Sequence, residues 1–328
     1  MSTITTKISK RWVLAGLLAL ACSAPQWSMA QGTRIVVFGT SLSDPGNAFA
    51  LRGGTNTPPD YSVDPFLVPD APYMRGGHHF SNGATWIEQY ARPLGLAGNV
   101  RPALASTGAA SNYAVGGARA REDGLNFNLP AQVGTFLRDV GHKAPADALY
   151  VVEMGANDLR DAFVAYVTPG RGPAAAGGVI ADALNAISQN IVDLYYAGAR
   201  KFLVWNAPNL GLTPAFRALD TVSPGAMFLA TSLSAGFNVG LETQVLPGLA
   251  AALPGIELTR MDVFSKMGEV VARPAAFGLS NATSACITPS VAPFHCDNVD
   301  AFLFWDGIHP TAAGHAILAQ LAAKTLGR

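Results

Sequence analysis

The sequence predicts an α/β protein of three layers, with helices on both faces of a mostly parallel, five-stranded central sheet. Three observations carry this. Short apolar runs rich in Val, Leu and Phe recur along the chain, as strands buried on both faces require. Longer stretches with helical spacing separate them, and strand–helix alternation leads to a parallel sheet covered on both sides. Hydrophobic residues make up 49% of the 328 and charged ones 13%, enough for a sizeable core and incompatible with global disorder.

The strands expected are residues 35–38, a short one at 112–115, then 148–154, 201–206 and 256–261. Helical patterns cover 85–91, 131–140, 179–197, 226–246 and 311–326. Two segments resist the pattern. Residues 52–77 are rich in Pro, Gly and Asp, and 280–300 form a second long irregular stretch; loops of this length in a compact domain are often functional. Residues 168–178, TPGRGPAAAGG, read as a flexible connection. There is no internal repeat, and one domain over 31–328 accounts for the pattern.

The first thirty residues read as a signal peptide. Lys7, Lys10 and Arg11 form a positive start, residues 12–21 an apolar run too short to span a bilayer, and Ser28-Met29-Ala30 the small-residue cleavage site. Cleavage is expected after Ala30, which makes the protein secreted or periplasmic. The alternative is a lipoprotein signal with Cys22 lipidated, which Ala19 fits poorly. Removing three of the 22 basic residues leaves 19 against 22 acidic ones, a net charge of −3. No basic footprint for nucleic acid is present, and no membrane span follows the signal. The sequence ends soon after the last helical pattern, so no fused translocator or anchor is expected. Nothing specifies an oligomer.

Cys286 and Cys296, ten positions apart in an exported chain, suggest one disulfide closing a small loop; two free thiols are the alternative. Their spacing does not suit a zinc pair, and His295 is the only other ligand type nearby. His78 and His79 could hold a metal as a pair, but the reading adopted assigns no metal and no cofactor. His142 and His315 read as surface and helix residues.

The chemistry lies where strands end and helices begin. Gly39-Thr40-Ser41-Leu42 follows the first strand, Gly155-Ala156-Asn157-Asp158 follows the third, and Asp306-Gly307-Ile308-His309-Pro310-Thr311 precedes the last helix. In a parallel sheet these points converge at one edge. A hydroxyl, an amide, a carboxylate and an imidazole are the set that acyl transfer needs. Three positions apart, the Asp306 carboxylate can reach Nδ1 of His309, leaving Nε2 to take a proton from serine.

The blocks VVFGTSLSDPGN, HHFSNGATWIEQYARPLGL, NYAVGGAR, YVVEMGANDLRDAF, KFLVWNAPNLG and FWDGIHPTAAGHAILA, in this order, resemble those of the GDSL-type esterases and lipases of the SGNH hydrolase superfamily. The resemblance covers nearly all of the chain after residue 30. It implies a flavodoxin-like SGNH fold, a small-molecule or lipid ester as substrate, and no cofactor. It also implies roles: Ser41 as nucleophile, His309 as base, Asp306 as its orienter. The Ser41 and Gly117 backbone N–H groups and the Asn157 amide would form the oxyanion hole, where losing one donor costs about 3–4 kcal/mol. Ser41 lies outside a GxSxG elbow, since Leu42-Ser43 follow it. The departure is Thr40, where the family motif has Asp. With the base assigned to histidine, Thr40 puts rate in doubt more than reaction type. Asp44 reads as structural and Asp158 as a cap for the helix that follows it. An acyltransferase using the same residues, and a weakly active binding protein permitted by Thr40, are the alternatives to a hydrolase. Residues 52–77 and 280–300 are the candidates for shaping an acyl pocket.

Overall fold

The computed structural model describes residues 1–2, 34–57, 66–74, 76–106, 110–287 and 296–328. Residues 3–30 of the expected signal peptide, with Cys22 and Ala30, lie outside these, as do His295 and parts of both long irregular segments.

Among the described residues, four parallel strands form the sheet in the order β1-β2-β3-β4: β1 Ile35–Gly39, β2 Leu149–Glu153, β3 Lys201–Trp205 and β4 Glu257–Met261. Each agrees with an expected apolar run to within one residue at either end. The count of five is corrected to four. The expected strand at 112–115 runs beside β1 and hydrogen-bonds to it, Tyr113 N–H to Val37 O at 2.8 Å and Val115 N–H to Gly39 O at 3.1 Å, yet it forms only an isolated bridge at Asn112. Asn112 is the reason. Its Oδ1 takes the Ala114 N–H at 3.0 Å, and its carbonyl serves Ala103 N–H and Asn47 Nδ2, a local side-chain bond that competes with a regular ladder.

The helices are α1 Asn47–Leu51, α2 Trp86–Ala91, α3 Leu129–Asp139, α4 Ala156–Val167 and α5 Gly172–Ala197. They continue as α6 Pro214–Val222, α7 Ala226–Gly240, α8 Leu246–Ala252, α9 Val263–Ala272 and α10 Ala312–Thr325. Successive strand residues point to opposite faces. Val36, Phe38, Tyr150, Val152 and Phe202 enter one core with Phe136 of α3, Ile187 of α5 and Phe237 of α7. Ile35, Val37, Val151, Leu203 and Trp205 enter the other with Trp86 of α2 and Leu318 of α10. Trp86 is fully buried with its ring 4.8 Å from that of Trp205, a core residue of the second layer.

Three stretches differ from expectation. α5 begins at Gly172, so most of the expected flexible connection, residues 172–178, is helical: Pro173 suits the first turn and Ala174–Ala176 propagate it. The helix expected over 226–246 runs through a π-helical turn, Leu241–Val245, into α8, whose Pro247 has no N–H to give the regular ladder. Within 280–300, β5 Asn281–Ala285 pairs with β6 Phe302–Phe304, and Cys286 and Cys296 are joined by a disulfide. No helix among the described residues is long and apolar enough to cross a membrane.

Candidate active site

β1 delivers Ser41 at its carboxyl end. Gly39 closes the strand with both its backbone groups on one side chain: Gln132 of α3 accepts from its N–H and donates to its carbonyl, each at 2.9 Å. A Cβ on Gly39 would sit 2.8 Å from Glu153 Oε2, so a side chain there would have to displace that carboxylate. The chain then turns, with Ser43 N–H on the Thr40 carbonyl at 3.1 Å. Thr40 is buried. Its N–H donates to Glu153 Oε2 at 2.8 Å and its hydroxyl to Glu153 Oε1 at 2.9 Å.

His309 arrives from the other end of the chain. Its Nε2 lies 2.8 Å from Ser41 Oγ, and its Nδ1 lies 2.7 Å from Asp306 Oδ2. Asp306 Oδ1 accepts the backbone N–H groups of Ile308 at 3.0 Å and His309 at 2.8 Å, an Asx-type turn that folds the segment back on itself. The Phe80 ring, 5.3 Å away, packs against the imidazole. Pro310 stands before the helix rather than in its first turn: Thr311 is the N-cap of α10, its hydroxyl accepting from Gly314 N–H at 3.0 Å.

The expected oxyanion donors come to the same place. Asn157 sits in the first turn of α4, one of its amide hydrogens on the Ala118 carbonyl at 2.8 Å. Gly117 has φ of 84°, which favours glycine. The backbone N–H groups of Ser41 and Gly117 have no hydrogen-bond partner among the described residues. Two buried acids tie these parts together. Asp44 accepts N–H groups from Gly46, Asn47 and Ala48, and from Gly116 at 2.8 Å, coupling the serine turn to the Gly117 loop. Burial nevertheless pushes its carboxyl up to about 6, against those hydrogen bonds. Asp158 does not cap α4 as expected. Its carboxylate takes Ala120 N–H at 2.8 Å and Arg121 N–H at 3.4 Å, on the far side of Gly117, and burial raises it to about 6.

A family model described as GDSL-like lipase/acylhydrolase matches residues 35–322. The chain belongs to this family. Phosphatidylcholine-sterol acyltransferase of Aeromonas hydrophila is 27% identical, the match covering 96% of each chain. A GDSL esterase/lipase of Arabidopsis thaliana is also 27% identical, over 56% of this chain and 55% of its own length. The chain thus spans about half the length of several plant relatives and nearly all of the Aeromonas one. Among solved structures, an α/β hydrolase from the metagenome of Lake Arreo aligns with a TM-score of 0.43 and 13% identity, over 90% of this chain and 94% of that one.

In this GDSL-family chain two clefts meet at Ser41, Asn157 and His309. One is apolar and runs between α9, β6 and α10, past Met267, Val270, Phe304 and Ile317. The other is polar and carries Arg52, Arg119 and Arg160 with Asp70. Among the described residues, neither long irregular segment lines the apolar cleft; part of 52–77 lines the polar one. The apolar walls come instead from α9 and α10.

Other residues stand apart from expectation. Tyr73, within the irregular 52–77 segment, donates its hydroxyl to Asp306 Oδ2 at 2.8 Å. His79 pairs with Glu88 at 2.8 Å rather than with His78, which lies against the Asn56 side chain. Burial would lower His79, but the Glu88 carboxylate outweighs it and raises the imidazole. His315 lies on α10, in agreement with the helix pattern, and is buried there: Nδ1 accepts the Trp86 N–H at 3.2 Å, and burial pushes its pKa down to about 3. No cluster among the described residues groups metal ligands.

Proposed function

We propose that this protein is an exported serine hydrolase of carboxylic esters, its single catalytic domain over 31–328 released by cleavage after Ala30. The observation that carries the reading is the unbroken chain Ser41 Oγ, His309 Nε2, His309 Nδ1, Asp306 Oδ2, with links of 2.8 and 2.7 Å. Ser41 attacks the ester carbonyl as His309 takes its proton. Asp306 holds the imidazole and stabilises the imidazolium. The Ser41 and Gly117 N–H groups and the second Asn157 amide hydrogen receive the oxyanion, and their lack of other partners among the described residues supports that role. The alcohol leaves with the proton from His309, and water repeats the sequence on the acyl-enzyme. The apolar cleft beside Ser41 suits an alkyl chain of the substrate. The disulfide supports an oxidising compartment.

A p-nitrophenyl ester series from acetate to palmitate tests this, beside Ser41→Ala and with a fluorophosphonate probe. Turnover and labelling lost together in Ser41→Ala are expected. An active Ser41→Ala, or a parent chain that neither turns over nor labels, would sink the reading. The acyltransferase alternative is favoured by one observation, the full-length similarity to the Aeromonas acyltransferase. Formation of a new ester when an alcohol or sterol is added would select it.

A further inference from the structure

The turn that presents Ser41 rests on a carboxylate from another strand. Glu153 closes β2, is 3% exposed, and faces Thr40 with both oxygens. One accepts the Thr40 N–H at 2.8 Å; the hydroxyl of Thr40 lies 2.9 Å from one oxygen and 3.1 Å from the other. Ser43 adds a hydrogen bond from its side chain, and its Oγ in turn accepts from Trp86 Nε1 at 2.9 Å. Thus residues 40 and 43, on either side of Ser41 and Leu42, are both fastened to Glu153. A Cβ on Gly39 would press on the same carboxylate.

We propose that Glu153 is a positioning residue for the nucleophile, and that Thr40 and Glu153 form a matched pair in which the acid stands on β2 because the turn carries a hydroxyl. This rests on the hydrolase reading. A carboxylate at position 40 would put its oxygens near the place of Thr40 Oγ1, about one hydrogen-bond length from Glu153, with both positions buried. Two buried carboxylates at that distance do not both ionise unstrained. The Asp that the family motif carries at position 40 could therefore stand beside Glu153 only with one of the two carboxyls kept protonated. Thr40 fits because it donates where Asp would only accept. A carboxylate inside an otherwise apolar strand, YVVEM, has this turn as its reason for being buried.

The test is a swap. Thr40→Asp, Thr40→Asn, Glu153→Gln and the double variant Thr40→Asp/Glu153→Gln are compared with the parent for kcat, KM, fluorophosphonate labelling and melting temperature. Thr40→Asp should lower kcat on the order of 10²-fold with KM nearly unchanged, since the nucleophile is displaced and the clefts are not. Thr40→Asn, of the same size and uncharged, should lose less. The double variant should recover most of the kcat and the melting temperature, because the two charges no longer meet. Thr40→Asp as active as the parent with Glu153 intact, or a double variant no better than Thr40→Asp, would overturn the pairing. Where Thr40→Asp does not fold, its rescue by Glu153→Gln is read from folding itself. Melting temperatures do not depend on any ester being turned over. A parent with no esterase activity therefore sinks the hydrolase reading alone, while an absent rescue sinks the pairing.

Discussion

Tyr73 and His309 share one oxygen: the Tyr73 hydroxyl lies 2.8 Å and His309 Nδ1 2.7 Å from Oδ2 of Asp306. The other oxygen is already occupied by the backbone N–H groups of residues 308 and 309. Asp306 is fully buried, so these four contacts replace the water it has lost and fix the rotation of its carboxyl group. The tyrosine ring is held in turn against Trp305, 5.7 Å away. The irregular 66–74 stretch thereby reaches into the hydrogen-bonded chain that ends at Ser41.

Tyr73→Phe keeps the packing and removes the donor. Leaving part of a buried carboxylate unsatisfied costs about 1–3 kcal/mol. The expected result is a fall of roughly 10-fold in kcat with a small change in KM, and a melting temperature lowered by a few degrees. An ester assay and a thermal scan read both. Unchanged kcat would mean that the backbone N–H groups alone orient Asp306.

Asp44→Asn probes the link between the serine turn and the Gly117 loop. The four N–H groups on Asp44 all need an acceptor, and an amide offers one oxygen while turning donors toward the rest. Stability should drop by about 1–3 kcal/mol. Fluorophosphonate labelling should slow further than the loss of folded protein explains, because the Gly117 N–H loses its support. Labelling that simply tracks the folded fraction would assign Asp44 to the fold alone.

These two residues, with Glu153, mark how far the sequence could be read. Ser41, Asn157, Asp306 and His309 each lie in a short block at a strand end or helix start, where local chemistry and topology together predict convergence. Tyr73 meets Asp306 across 233 positions and Thr40 meets Glu153 across 113, and no local period encodes such pairs. Glu153 did leave a signal, an acid within an apolar strand. His315 left a weaker one. Its place on α10 fits a helix pattern, and only the packing of α2 against α10 turns it into the acceptor for the Trp86 N–H. The fifth strand failed because Asn112 spends its side chain on the local backbone.

His315 also sets a pH dependence. Its pKa is lowered from 6.5 to about 3, first by burial and then by the nearby His79 and His309. A depressed folded-state pKa gives stability that is present above pH 6.5 and is lost as pH falls toward 3. Asp44 and Asp158, raised to about 6, act in the opposite sense: their contribution is present at low pH and lost as pH rises through 6. His315→Asn keeps an acceptor for the Trp86 N–H and removes the titration. Urea denaturation from pH 7 to pH 4 should show the parent losing stability relative to the variant as the pH falls. A constant difference between them across that range would exclude His315 as a source of acid sensitivity.

The apolar cleft makes a prediction about chain length. Burying a methylene contributes about 0.8 kcal/mol, close to 4-fold in kcat/KM for each carbon added while the cleft still has room. Activity on p-nitrophenyl esters should therefore rise with acyl length and then level off. Met267 lies on α9 along this cleft and is only partly buried, so a larger side chain there can be accommodated at the mouth. Met267→Trp should lower the octanoate-to-acetate ratio of kcat/KM by roughly 10-fold, the equivalent of losing one or two buried methylenes. The polar cleft does not contain Met267. A variant that leaves the ratio unchanged would thus place the acyl chain on the arginine-lined side of Ser41, and the apolar cleft would then receive the alcohol.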